Sequence, residues 1–415
     1  MKNFLQDLKS REIINNITNE EKVIKAFEEG KGIYVGFDPS AESLHLGNYT
    51  MIMFLKRLSR NNIKTYALVG GATGMIGDPS GKSNERNLLD EKKVEINKQF
   101  IKEQLEKFSE SKSLDNYDHF KDMNFLTFLR TAGKLINVNY MLEKESINTR
   151  LETGISFTEF SYTLIQGYDF LHLYENKDIY LQAGGSDQWG NITTGIEMIR
   201  KNSNSETYAA GLTLNLLLKS DGKKFGKSEK GAIFLNEKLT SPYEMYQFLI
   251  NQNDTDVIKL LNFLTLIPTD EIKEIKEKSL ANPKERIAQK ILAEDIVVNV
   301  HGKEKYNQSL KISDVLFSGN IIDLTADEIK MIFNTIPSIE LINKDFNLKE
   351  VLTLLEFSTS NKTARELINN SSIEVNGHKI NDENMIINNQ HTILTNYTIF
   401  KKGKKNYKLI KWIIE

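Results

Sequence analysis

From about residue 30 to residue 235, short apolar runs alternate with stretches at helical spacing. Ile33 to Phe37 is one run, closing on Asp38-Pro39, and Thr50 to Leu58 after it repeats with a helical period. Tyr66 to Val69 ends in Gly70-Gly71, and Ile179 to Ala183 ends in Gly184-Gly185. Short apolar runs that stop at glycines before amphipathic stretches predict βαβ units and a parallel sheet. Ligands of such sheets bind beyond the carboxyl ends of the strands. From Ser241 to about Val300 the pattern is helical, punctuated by Pro242, Pro268 and Pro283. A polar, weakly patterned stretch follows and reads as a linker. The expected layout is an α/β domain over residues 1–235, a helical domain over 236–320, a linker over 321–346 and a small terminal unit over 347–415.

Composition narrows this picture in three ways. The chain has 415 residues, 40% hydrophobic and 27% charged, which suits several globular domains. It has no cysteine, so disulfides and thiolate metal sites are excluded. The formal net charge of −2 means that a nucleic-acid partner would need a local basic patch. The opening MKNFLQDLKSREIINN has no apolar segment of the kind found in secretory signals. No run approaches the ~18 apolar residues of a membrane span. A cytoplasmic protein without a membrane partner is expected.

Five constellations carry chemistry. Asp38 to Asn48, DPSAESLHLGN, runs a strand into a helix N-terminus, where free N–H groups bind phosphate and Ser40 and His45 can add donors. Alone, a His-x-Gly is more often a capped helix. Gly70 to Arg86 packs five glycines around Asp78, followed by Lys82 and Arg86; it does not match the Walker A spacing. In Phe157 to Tyr174, an apolar helix aligns Tyr162, Gln166 and Asp169 at i, i+4 and i+7. Buried together, they would need partners and could line a pocket, or satisfy one another. Leu181 to Asn191 ends a strand in Gly184-Gly185 and starts a helix at Asp187 and Gln188; the carboxylate suits a ribose or a plain N-cap. Lys219 to Ala232 holds five lysines with little apolar anchoring, as in a solvated loop or in one that closes on a polyphosphate.

Together these stretches resemble one family. HLGN at 45–48 resembles the H-I-G-H motif of class I aminoacyl-tRNA synthetases, and KFGKS at 224–228 resembles their K-M-S-K-S motif. YVGFDPSAESLHLGN, GGATGMIGDPSGK, SYTLIQGYDFLHLY and GGSDQWGNIT are similar to the bacterial tyrosyl-tRNA synthetases in particular, in order along nearly the whole chain. The resemblance implies a Rossmann-like parallel-sheet catalytic domain, a helical domain and a small α+β C-terminal RNA-binding module. It implies that tyrosine is activated with ATP and passed to tRNA(Tyr) by a homodimer, with Mg²⁺ arriving on ATP and no protein metal cage.

The same resemblance assigns roles. Tyr34 and Asp169 match residues that bind the phenol, Asp78, Tyr162 and Gln166 those around the α-ammonium, and Gln188 one near the carboxylate. Gly36, Asp38, Ser40, His45, Asn48, Gly185 and Asp187 match ATP contacts, with Lys82, Arg86, Lys224 and Lys227 around the pyrophosphate. Asn48 replaces the second His of the motif, Leu46 the Ile, and Phe225-Gly226 replace Met-Ser. The end unit, with TSNKTARELINNSSIEVNGHKI, resembles an RNA-binding module also found in a ribosomal protein. Lys362, Arg365 and the tail lysines Lys401, Lys402, Lys404 and Lys405 would meet tRNA phosphates. The same fold charging tryptophan is the nearest alternative, and Tyr34 with Asp169 suits a phenol better.

Overall fold

The three apolar runs form the middle of a six-stranded sheet. Its strands are β1 (Ile14–Ile17), β2 (Gly32–Phe37), β3 (Thr65–Val69), β4 (Lys112–Asp115), β5 (Ile179–Gly185) and β6 (Ala210–Leu214). They lie in the order β1-β6-β5-β2-β3-β4. Every neighbouring pair is parallel except β1 with β6. The inner strands bury residues on both faces, including Ile33, Val35, Ala67, Val69, Leu181, Ala183 and Leu212, which is why they read as continuous apolar runs. The edge strands β1 (INNI) and β4 (KSLD) are only half-buried and correspondingly polar. From β2 the chain builds β3 and β4 to one side, then returns to place β5 and β6 on the other. The topological switch therefore lies between β2 and β5, and a ligand crevice is expected at their carboxyl ends.

The computed structural model describes residues 1–81, 88–152, 154–228, 231–318, 321–333, 336–393, 396–403 and 406–413. The chain divides into two units, Met1–Asn236 with Gln252–Leu292, and Glu237–Asn251 with Ala293–Glu415. The stretch expected as a separate helical domain is thus shared out. The helix Asp254–Leu264 packs on the helix Leu46–Arg60 in the first unit. There the buried Arg57 guanidinium donates to the carbonyls of Asn262 and Thr265, which are left open at that helix's C-terminal end. In the second unit, the helix Pro242–Ile250 packs on Lys303–Ser318 and Ala326–Phe333.

Residues 321–346, expected as a linker, contribute structure to the second unit. They hold the helix Ala326–Phe333 and the strand Ser338–Ile342, which pairs in parallel with Asn406–Ile413. That pairing partner lies far along the chain, and SIELI is a half-exposed edge strand, so nothing local marks it. The five-stranded sheet runs His378–Ile380, Ile373–Val375, Tyr397–Lys402, Asn406–Ile413, Ser338–Ile342. Its alternating side chains feed two cores. Phe400, Ile410 and Trp412 face the helices Leu348–Leu354 and Asn361–Asn369. Tyr397, Ile399 and Leu409 pack with Ile312, Ile329 and Ile332.

Candidate active site

At the carboxyl ends of β2 and β5 lies a cavity of about 230 Å³. Its lining includes Tyr34, Gly36, Asp38, Ser40, Asn48, Asp78, Tyr162, Gln166, Asp169, Gly185 and Gln188. The stripe Tyr162, Gln166 and Asp169 therefore does face one chamber. The helix that carries it, Phe157–Lys177, begins where the Ser156 side chain accepts the Glu159 N–H and ends at Asp178 in a left-handed conformation.

Tyr34 and Asp169 bring buried polar groups to the cavity wall. Tyr34 and Asp169 are each 1% exposed. Among the described residues, the Tyr34 hydroxyl and Gln182 Oε1 are buried without a hydrogen-bond partner. Buried polar atoms ordinarily have partners, so two orphans on one cavity wall point to a polar ligand. Burial, aided by the Asp169 charge, pushes the Tyr34 phenol well above its usual range. Asp169 accepts from Asn116 Nδ2 at 3.0 Å and meets His119 Nε2 at 2.7 Å. Burial pushes its carboxyl up, and these two neighbours pull it back.

Two further carboxylates line the same chamber. Asp38 accepts the Thr73 hydroxyl at 2.7 Å and the Tyr162 hydroxyl at 2.9 Å. Asp78 accepts from the Ser80 N–H at 3.0 Å and from Gln188 Nε2 at 2.6 Å. Asn191 Nδ2 ties the group together, donating to Gln166 Oε1 at 3.0 Å and to Gln188 Oε1 at 3.1 Å. Asp38, Asp78 and Asp169 all line the one chamber. Three carboxyl groups around so small a volume favour a positively charged ligand group.

Above the cavity, His45 caps the helix Leu46–Arg60. Its Nδ1 accepts the Gly47 N–H at 3.0 Å, while the Asn48 side chain accepts the His45 N–H at 3.1 Å. Asn48, the departure from the family motif, thus closes a capping box. Burial and then the Lys227 charge hold the His45 imidazole below its ordinary value. With Nδ1 accepting, the neutral ring carries its proton on Nε2, where it can donate outward.

The KFGKS segment packs on this turn. Phe225, 3% exposed, anchors the loop, in contrast to the weak anchoring expected from its sequence. Lys224 and Lys227 stay exposed. Asp187 is pushed up by burial and by Asp78, and Lys224 pulls it back. Lys82 and Arg86 lie outside the described residues.

Four residues on this site were not expected from the sequence: Asn116, His119, Gln182 and Asn191. Asn116 follows the polar strand β4, and Gln182 sits inside the apolar run of β5, so neither belongs to a pattern. Asn191 lies in the GGSDQWGN stretch, three residues beyond Gln188 on a helix, and that spacing could have found it.

In the second unit the expected phosphate contacts fare unequally. Lys362 stands exposed on the helix Asn361–Asn369, and Arg365 pairs with Glu383 at 2.6 Å. Lys401 pairs across the sheet with Glu374 at 3.4 Å, and Lys402 donates to the Phe357 carbonyl at 2.9 Å. Lys411 likewise meets Glu340 at 2.6 Å. The acid-free run of tail lysines is therefore partly neutralised by acids from distant sequence. Lys404 and Lys405 lie outside the described residues.

Residues 28–318 match the family described as tRNA synthetases class I (W and Y), and residues 328–410 match the tyrosine–tRNA ligase SYY-like C-terminal domain. The tyrosine–tRNA ligase of Ureaplasma urealyticum serovar 10 is 60% identical over 412 residues, 99% of each chain. That of Mycoplasmoides gallisepticum is 46% identical over 413 residues, again 99% of each. Among solved structures, a C-terminally truncated mitochondrial tyrosyl-tRNA synthetase of Coccidioides posadasii aligns with a TM-score of 0.65 and 27% identity. The alignment covers 74% of this chain and 91% of that one.

Proposed function

The chain belongs to the class I tRNA synthetases for tryptophan and tyrosine, and from that premise we propose the following tyrosine–tRNA ligase chemistry for its cavity. The carboxylate of tyrosine attacks the α-phosphorus of ATP. The α-phosphorus–oxygen bond to the β-phosphate breaks and pyrophosphate leaves. A ribose hydroxyl at the 3′ end of tRNA(Tyr) then attacks the acyl carbon of tyrosyl-adenylate, and AMP leaves.

The observation that carries the tyrosine reading is the cavity's polarity. A buried Tyr34 hydroxyl, without a partner among the described residues, faces the same chamber as Asp169, and Asp78, Tyr162 and Gln166 line that chamber too. Tyrosine supplies a phenol for the first group and an ammonium for the second. Gln188 is near its carboxylate. Catalysis then consists of positioning and charge stabilisation, because the nucleophile is already an anion. Ser40, the neutral His45 and Asn48 donate toward the phosphates. Gly36, Asp38, Gly185 and Asp187 frame the adenosine. Lys82, Arg86, Lys224 and Lys227 neutralise the departing pyrophosphate. Mg²⁺ enters as part of the MgATP substrate.

Lys362 and Arg365 lead the tRNA contacts, with Lys401, Lys402, Lys404 and Lys405 beside them. The protein acts in the cytoplasm as a homodimer. The exposed Phe125, Leu126 and Val138 supply apolar surface for a second copy. No described helix is long and apolar enough to cross a membrane.

The test is tyrosine-dependent exchange of pyrophosphate into ATP. Exchange with tyrosine and little with phenylalanine or tryptophan is expected; equal exchange with all three, or none, sinks the reading. Tyrosyl-tRNA synthetases as a family are known to discriminate against phenylalanine by about 10⁵, an established figure that sets the scale for the comparison.

A further inference from the structure

Asp169 is gripped from behind as well as from the substrate cavity. Its Oδ1 meets His119 Nε2 at 2.7 Å, and the two side chains are 2% and 9% exposed. The His119 ring stacks on His172, with centroids 4.3 Å apart and planes at 14°. Phe120 flanks it at 4.9 Å. His119 and His172 line a second cavity of about 570 Å³, to which neither Tyr34 nor Asp169 belongs. His119, for its part, does not line the substrate cavity. The carboxylate therefore faces one chamber while its imidazole partner faces another.

We propose that His119 is a positioning residue of the phenol subsite: its Nε2–H fixes Asp169 as an ionised acceptor, so selection of tyrosine over phenylalanine depends on a side chain outside the substrate cavity. The proposal rests on the tyrosine reading given above. A buried carboxyl group favours its neutral form unless donors hold the charge. Asn116 supplies one donor and His119 the other. The stack completes the device. Burial, then His119 and Lys177, push His172 down to about 4, so it stays neutral against its neighbour. The charged and titratable groups around His119 are Asp169, His172, Tyr168 and Lys177 from the long helix, Asp115 from the end of β4, and Asp118 and Asp122 from its own segment. Against the Asp169 carboxylate, His119 donates from Nε2.

The full-length chain is assayed by pyrophosphate exchange and by equilibrium dialysis of tyrosine. His119→Phe keeps a stacking ring and deletes the donor; His119→Asn is too short to reach Asp169; His119→Gln keeps an N–H donor. The donor-deleted variants are expected to raise KM for tyrosine about 10- to 100-fold, the range for losing a hydrogen bond to a charged group. Their kcat and KM for ATP stay within about threefold, the split expected when substrate binding alone is weakened. Preference for tyrosine over phenylalanine falls by a similar factor. The tyrosine KM of these variants climbs further in acid than that of the natural protein, because the buried carboxyl has lost one of the donors that favour its charge. His119→Gln recovers most of the loss. The proposal is overturned if every donor-deleted variant that folds keeps its tyrosine KM and preference. It is equally overturned if kcat and both KM values collapse together and His119→Gln does no better. A natural chain that exchanges without tyrosine preference overturns the tyrosine reading itself, whereas a tyrosine-specific chain indifferent to His119 overturns only the positioning role.

Discussion

Gly226 and Gly47 meet backbone to backbone: a Cβ on Gly226 would stand 2.5 Å from the Gly47 amide nitrogen. The two strands of chain are also stitched together, since Ile233 N–H donates to the Gly226 carbonyl and Leu46 N–H donates to the Ile233 carbonyl, both at 2.9 Å. The two signature motifs of the family thus act as one surface, and the geometry requires glycine.

Gly226→Ala should therefore impair adenylate formation. Gly226 has φ +88, which disfavours any side chain, and the added methyl group would push the loop off the His45 turn. A drop in the single-turnover rate of about tenfold or more is expected, with tyrosine affinity nearly unchanged, if the loop acts on charge that develops on pyrophosphate as proposed. A variant with the natural rate would show that the contact is not needed for closure.

Tyr34→Phe and Asp169→Ala should separate stability from binding. The Tyr34 hydroxyl, without a partner among the described residues, costs the unliganded protein ~1–3 kcal/mol, so its removal should raise the melting temperature. The same change should weaken tyrosine binding by about 0.5–1.5 kcal/mol, one neutral hydrogen bond. Asp169→Ala should weaken binding more, by about 1.5–3 kcal/mol for a charged acceptor, and should leave Asn116 and His119 without their partner. Calorimetry on both variants checks the order; a larger binding loss for Tyr34→Phe would reverse the roles.

The cavity also shows how far the residues alone can be read. Tyr162, Gln166 and Asp169 are visible because helical spacing puts i, i+4 and i+7 on one face, and all three line the cavity. The glycine-ended runs locate β2 and β5, and with them the crevice. Asn116 and His119 are not visible, because they follow a strand, KSLD, that lies at the sheet edge and carries no apolar pattern. The lysine-rich tail is only partly legible for a related reason. Its counter-charges, Glu340 and Glu374, come from other strands, and pairing across a sheet has no local signature.

That pairing sets the expected hierarchy for tRNA binding. Lys362→Ala should weaken binding and reduce the salt slope by about 1, since an exposed lysine can replace a counterion. Lys401→Ala should change the slope less, because Lys401 is 13% exposed and sits beside Glu374. Filter binding over a salt series measures both; a larger slope change for Lys401→Ala would place the RNA on the sheet instead of the helix.

Acid should destabilise the fold through two imidazoles. His45 and His172 are both held below the ordinary value, so the folded chain binds fewer protons than the unfolded one. For a depressed histidine the contribution is present above the unfolded value of 6.5 and is lost as pH falls, for His172 down to about 4. The melting temperature should decline across that window, and His172→Phe, which keeps the stack, should flatten the decline. An equally steep decline in the variant would assign the effect to other groups.

The antiparallel edge strand β1 has a consequence in time. The Asn16 N–H donates to the Thr213 hydroxyl across a separation of 197 residues. A ribosome adding ~5–20 residues per second needs roughly 10–40 s to deliver that partner. β1, made before the other strands of its sheet, is therefore the last to be seated in it, and until β6 emerges a nascent chain carries INNI as an unsatisfied, half-polar ribbon. Its two asparagines keep that waiting segment soluble, where a more apolar first strand would invite pairing with neighbouring chains on the same message.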